Sequence, residues 1–208
     1  RCRLVGSEMC IRDRYIGIFA AAIASVVTFG FWMPFIGFII NPRPYLAPKT
    51  WLVFAFGEGF FIGLISLSFE TMFPGIVLEA VSLTFCVAAT LLFLYKSGIV
   101  KPSQNFVLMV CSAVFGIFLF YIGTLIYSLV TGVSPEIFSG SSNASIGLSL
   151  FIVAMAAFSL VLDFDIIEQS AEYGSPKYME YFGAMALVTT LIWLYIEILR
   201  LLAKFRSR

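Results

Sequence analysis

The residues in this chain best equipped to do chemistry are carboxylates set in strongly apolar sequence. Glu58 stands in Phe56-Gly-Glu-Gly-Phe60 and Glu79 follows shortly after Pro74. Asp163, Asp165, Glu168 and Glu172 crowd the end of another apolar run. Glu197 stands in Leu194-Tyr-Ile-Glu-Ile-Leu199, with Arg200 one turn further on. An ionisable group at mid-membrane costs about 2.5–3.5 kcal/mol on insertion scales, so each is a candidate proton carrier, ion ligand or ion-pair partner. The chain has no His, which removes Ser-His and Cys-His catalysis and His-ligated zinc or haem. Cys2, Cys10, Cys86 and Cys111 form no CxxC motif. Cys86 and Cys111, inside apolar segments, read as small buried hydrophobes. The Gly-x-Gly-Asp pattern of intramembrane aspartyl proteases is missing. No catalytic residue is assigned, and the chain is not expected to be an enzyme.

The elements that must position these acids follow from composition. Of 208 residues, 61% are hydrophobic and 12% charged, with a mean hydropathy of +1.00. A soluble domain carries roughly 25% charged residues, so this chain lacks the polar surface for a water-soluble globule. The net charge of +1 and the lack of any basic run interleaved with aromatics give no argument for nucleic acid. A membrane helix needs about 20 mostly apolar residues. Spans are predicted at about 15–40, 51–69, 74–95, 106–130, 146–162 and 178–202, separated by Pro, Gly and Ser. Continuous rather than alternating apolarity excludes a barrel, so the fold class is all-α: a polytopic transmembrane helix bundle. Gly59-x-x-x-Gly63 with Ser66 predicts a close helix contact. Thr190, Trp193, Glu197, Arg200 and Lys204 make a polar stripe that should face the bundle interior. If the helix continues past 162, Asp165, Glu168 and Glu172 share one face. The opening stretch 1–14, RCRLVGSEMCIRDR, reads as foreign, adapter-like sequence and is set apart from a membrane domain at 15–208. Basic residues divide almost evenly between the two ends of the spans, so they assign no orientation.

The run Leu160-Val-Leu-Asp-Phe-Asp-Ile-Ile-Glu168, then Tyr178-Met-Glu-Tyr-Phe182, then Leu191-Ile-Trp-Leu-Tyr-Ile-Glu-Ile-Leu-Arg-Leu-Leu202 resembles the bacterial branch of the Bax inhibitor family. These are calcium-leak membrane proteins related to eukaryotic cell-death suppressors. Glu58-Gly-Phe-Phe-Ile-Gly-Leu-Ile-Ser66 and Pro74-Gly-Ile-Val-Leu-Glu-Ala80 resemble it too. The similarity covers most of Tyr15 to Arg208, and its C-terminal part is the most specific. The resemblance implies seven membrane helices with the last at the centre. Six spans are counted, so the family's first helix is expected to be missing from this chain.

The resemblance also implies a pair of buried acids: Asp165, in Phe164-Asp165-Ile166, and Glu197, in Leu194-Tyr195-Ile196-Glu197. Two departures stand out. The second acid is Glu rather than Asp, and no basic residue within Tyr15–Ile40 is available to latch the first. Two carboxylates at hydrogen-bonding distance in a low dielectric share a proton rather than both ionise. Protonated, such a pair bridges two helices. Ionised, it repels and offers hard oxygen ligands for transient Ca²⁺. The expected function is therefore a pH-sensitive cation (Ca²⁺) leak channel. Its ion and proton pathway includes Asp165, Glu197, Asp163 and Glu58, with Arg200 as an ion-pair partner and no cofactor beyond Ca²⁺. Expected partners are the lipid bilayer and Ca²⁺ or protons, and the expected location is a bacterial inner membrane. The alternative is a non-conducting regulatory protein that binds a membrane protease or another membrane partner.

Overall fold

Backbone polar groups find no water in hydrocarbon, so each apolar run must satisfy its own hydrogen bonds as a helix. The computed structural model describes residues 47–131 and 142–207. They form α1 (Ala47–Met72), α2 (Ile76–Lys96), α3 (Gln104–Thr131), α4 (Asn143–Glu172) and α5 (Tyr178–Arg206). All five are long and apolar enough to cross a membrane, and no strand occurs among the described residues. The chain is thus an all-helical, multi-pass membrane protein. Five of the expected spans are present. The sixth, 15–40, and the stretch 1–14 lie outside the described residues.

The helices alternate in direction around α5. Trp51 against Tyr181, with ring centroids 6.5 Å apart, and the 2.7 Å hydrogen bond between Ser66 Oγ and Tyr195 Oη set α1 parallel to α5. α4 returns antiparallel: Thr190 Oγ1 donates to Asp163 Oδ2 at 2.6 Å, and Lys204 Nζ donates to Ser149 Oγ at 2.7 Å. α2 also packs on both α4 and α5, and α3 packs on α4. In α5 the run Ile192 to Arg200 is buried without a break, so this helix has no lipid-facing side there. α1, by contrast, turns Phe56 and Phe60 outward, as α2 does Phe85 and α3 Leu108. Lipid tails are as apolar as Leu, so packing and interhelical hydrogen bonds, not hydrophobic transfer, hold such helices together.

Three expectations change. The span expected to end at 162 continues as helix to Glu172, and α5 runs to Arg206. Of the acids that marked the expected end, Asp163, Asp165 and Glu168 hydrogen-bond to side chains of neighbouring helices. Gly59 and Gly63 do not mediate a close contact among the described residues, because a Cβ at either would meet nothing within 4 Å. The close approach is instead at Gly183, where a Cβ would sit 2.9 Å from Ile167 Cγ1 of α4. Cys86 and Cys111 are exposed rather than buried; on lipid-facing sides they occupy apolar surroundings all the same.

The connections are short and place the polar groups. α4 ends with Gly174 at φ 62, and Gly174 N–H donates to Ala171 O at 3.2 Å. A left-handed residue after the last turn closes a helix, and Gly adopts it without a Cβ penalty. α5 begins a few residues later, so α4 and α5 form a tight hairpin. At the opposite end, Glu70 accepts from Gly75 N–H (2.6 Å) and Val77 N–H (3.2 Å), which caps α2. Arg206 donates to Pro74 O at 2.8 Å and pairs with Glu79 at 2.7 Å. Glu79 is thus a solvated, paired acid at a span edge.

Candidate functional site

The polar side chains of the bundle fall into two layers. The first is built on α5 around Glu197, 1% exposed, and Arg200, 8% exposed. They are one turn apart on the same face, which brings Arg200 Nη1 within 3.2 Å of Glu197 Oε1 and 3.3 Å of Oε2. Tyr121 of α3 completes the group. Its hydroxyl donates to Glu197 Oε1 at 2.5 Å and accepts from Arg200 Nη1 at 2.7 Å. The guanidinium carbon also lies 5.6 Å from the Tyr121 ring centroid, a cation–π distance. One turn further, buried Lys204 reaches Ser149 Oγ and Ser145 O. Charge in this layer is paired and hydrogen-bonded. The stripe from Trp193 through Glu197 and Arg200 to Lys204 does face the interior.

The second layer is acidic. Asp163, half-buried on α4, accepts from Thr190 of α5. Asp165 Oδ1 accepts from Tyr95 Oη of α2 at 3.2 Å, and Asp165 Oδ2 accepts from Gln169 Nε2 at 2.6 Å. The same Tyr95 hydroxyl bonds Glu168 Oε2. Interpolation between the Trp51–Tyr181 and Ser66–Tyr195 contacts puts Glu58 of α1 level with α5 near Val188, the height at which Asp163 meets Thr190. Glu58 is 4% exposed, and its Oε2 has no hydrogen-bond partner among the described residues. The two ion pairs among the described residues, Arg200–Glu197 and Arg206–Glu79, both lie elsewhere. Hydroxyls and an amide, not cations, therefore hold Asp163, Asp165 and Glu168.

The expected Asp165–Glu197 pair is not formed. Asp165 bonds Tyr95 and Gln169, while Glu197 bonds Tyr121 and Arg200. The hairpin explains why. Asp163 meets Thr190, and Glu197 lies two turns beyond Thr190 on α5, about 10 Å away along the axis. Asp165 lies on the other side of that contact. The two acids cannot share a proton or hold one Ca²⁺ between them in this conformation. Among the described residues no three acidic or cysteine side chains converge as a metal site. Of the sequence candidates, the structure brings Arg200 to Glu197, and sets Asp163, Asp165 and Glu58 at one level of the bundle. It adds Tyr95 and Tyr121, which sequence reasoning did not single out, and gives Thr190 of the inward stripe a partner in Asp163. A membrane tyrosine reads by default as an interfacial anchor, so only the spatial contacts reveal these roles.

A family model described as Bax inhibitor 1 like matches residues 7–207. Comparison with curated proteins and with solved structures gave no match.

Proposed function

The chain belongs to the Bax inhibitor 1 like family, and on that premise we propose that it is a proton-controlled cation leak, with Ca²⁺ as the moving ion, in a bacterial inner membrane. The observation that carries this reading is the acidic layer itself. Asp163 and Asp165 on α4 and Glu58 on α1 stand at one height of the bundle, without a cationic partner among the described residues. Carboxylates left this way in a low dielectric favour a proton or a passing cation. When protons are bound, the acids bridge helices through Thr190 and Tyr95. When protons leave, like charges accumulate, the bridges weaken and hard oxygens become available to Ca²⁺. Glu197 takes a different part from the one expected of it: with Arg200 and Tyr121 it fixes the central helix against which the acidic layer moves.

The test is Ca²⁺ flux into proteoliposomes holding the full chain, measured from acid to alkaline pH. Flux should rise with pH, and Asp163→Asn together with Asp165→Asn should remove most of that rise. Flux no greater than in protein-free vesicles, or an unaltered pH response in the double variant, would overturn the reading.

One observation favours the second reading, a non-conducting regulator of another membrane protein. Asp163 and Asp165 both make interhelical hydrogen bonds, as they would if their role were only to join helices. Co-purification of one stoichiometric membrane partner, with no flux, would favour it.

A further inference from the structure

A leak needs a polar route from the acidic layer to a face of the membrane, and the two sides of the central helix offer different ones. Tyr195 and Arg200 lie about 140° apart around α5 at 3.6 residues per turn. The phenol therefore meets Ser66 of α1 while the guanidinium meets Tyr121 of α3. On the α3 side stand two buried cations, Arg200 and Lys204. A fixed cation on a route raises an electrostatic barrier to any passing cation. The α1 side carries the opposite sign. From Thr50 to Met72, α1 has no Lys or Arg, and its charged residues are Glu58 and Glu70. We propose that cations leave the acidic layer along the seam between α1 and α5, with the Ser66–Tyr195 hydrogen bond as its gate and Glu70 at its outer end. This rests on the leak reading and gives that leak a route.

The spacing suits stepwise passage. Ser66 follows Glu58 by about 12 Å along the helix axis, and Glu70 follows Ser66 by about 6 Å. Glu58 is 4% exposed and its Oε2 has no hydrogen-bond partner among the described residues, so a hard oxygen stands ready at the inner end. Between the polar positions, Ile65 belongs to the apolar core and Ile62 packs against it. Apolar constrictions of this kind gate by excluding water. Beyond them Tyr195, itself buried, closes the seam through its 2.7 Å bond to Ser66 Oγ. Parting that bond frees two hydroxyl oxygens as ligands. The Glu70 carboxylate is near enough to act electrostatically on the Tyr195 phenol, and it is half-buried at the rim. It accepts from Gly75 N–H and Val77 N–H, which fixes it and leaves further lone pairs for a cation. Arg206 reaches this end but is engaged by Glu79 and Pro74 O.

Ca²⁺ flux into proteoliposomes holding the full chain, otherwise free of cysteine, tests the route. Ser66→Cys should make the flux sensitive to Cd²⁺, a divalent cation that binds thiolates. Ser149→Cys, at the Lys204 contact on the other side of α5, should leave it insensitive. Tyr195→Phe and Ser66→Ala each remove the gate bond and should raise flux about fivefold, the scale of one hydrogen bond. The double variant should gain nothing more, because both changes delete the same bond. Glu70→Gln should lower flux severalfold, by removing the charge that gathers cations at the mouth. Cd²⁺ block at Ser149→Cys, or none at Ser66→Cys, overturns the route while the leak stands. Unaltered flux in Tyr195→Phe, or additive gains in the double variant, overturns the gate, and unaltered flux in Glu70→Gln removes that acid from the outer end. No flux in any protein overturns the leak and the route with it. If Tyr195→Phe does not fold, Ser66→Ala, which deletes the bond from α1, decides.

Discussion

Glu197 and Asp163 lie at neighbouring heights of the same helix hairpin, yet the bundle treats them differently. Glu197 is sealed and matched: a guanidinium, a phenol and a buried position leave it nothing to exchange. Asp163 is half-open and answered only by a hydroxyl. A charge within a membrane span marks a functional candidate until its partners are known. After that, the compensated charge is architecture, and the acid held by weak donors is where protons and ions can act. In a bilayer the contrast sharpens, because helices there depend on packing and polar ties rather than on transfer from water.

The comparison breaks first, and with the largest effect, at Arg200. Arg200→Ala leaves Glu197 buried with the Tyr121 hydroxyl but without its cation, and breaking a buried pair from one side costs about 3–5 kcal/mol. Thermal unfolding in detergent should show this loss. Arg200→Met combined with Glu197→Leu should recover most of it, because a buried pair replaced by hydrophobes of similar size is often neutral. A mild single variant would mean that the Glu197 layer is not held by compensation.

Next in size is the hairpin that sets the two layers apart. Gly183→Ala puts a Cβ 2.9 Å from Ile167 Cγ1, so either the stiff, β-branched Ile167 changes rotamer or α4 shifts. Overpacking of this kind costs about 1–3 kcal/mol. The same change at Gly59, where a Cβ meets nothing within 4 Å, should be neutral or stabilise α1 by up to about 1 kcal/mol on helix propensity. Equal effects at the two glycines, measured by unfolding, would contradict the close crossing.

Smaller still is Asp163→Asn. The amide oxygen can accept from Thr190 as the carboxylate does, so stability should change by less than about 1 kcal/mol. The charge of the layer falls all the same, and the rise of flux with pH should flatten. Stability and flux therefore separate at Asp163, whereas at Arg200 they fall together.

Much of this arrangement was legible. Unbroken apolar runs fixed α1 to α5 as membrane helices, and the spacing of Glu197, Arg200 and Lys204 placed them on one inward stripe. The Asp165–Glu197 pairing was not legible from the two motifs, because a motif says which residues matter and not which height of the bundle they occupy. Height is set by the connection. Asp165 lies about two turns before the short 173–177 link and Glu197 about six turns after it, so a tight hairpin cannot bring them level. That signal was present in the sequence as the shortness of the Gly-Ser-Pro link. The Tyr95 and Tyr121 contacts had no such signal, since nothing in an apolar run distinguishes an inward phenol from an interfacial one.

Glu58 gives the smallest expected effect on stability and the finest test of the distinction. It is nearly sealed, like Glu197, but one of its carboxylate oxygens has no partner among the described residues, unlike any oxygen of Glu197. A buried polar group without its hydrogen bond costs about 1–3 kcal/mol. Removing the carboxyl should therefore forfeit no stability. Glu58→Met, similar in length, should unfold within about 1 kcal/mol of the parent, on the stable side. On the proposed leak its Ca²⁺ flux at alkaline pH should nonetheless fall, because the substitution removes one of the three acids of the layer. Strong destabilisation with unchanged flux would move Glu58 into the class of Glu197 and leave α4 alone to form the acidic layer.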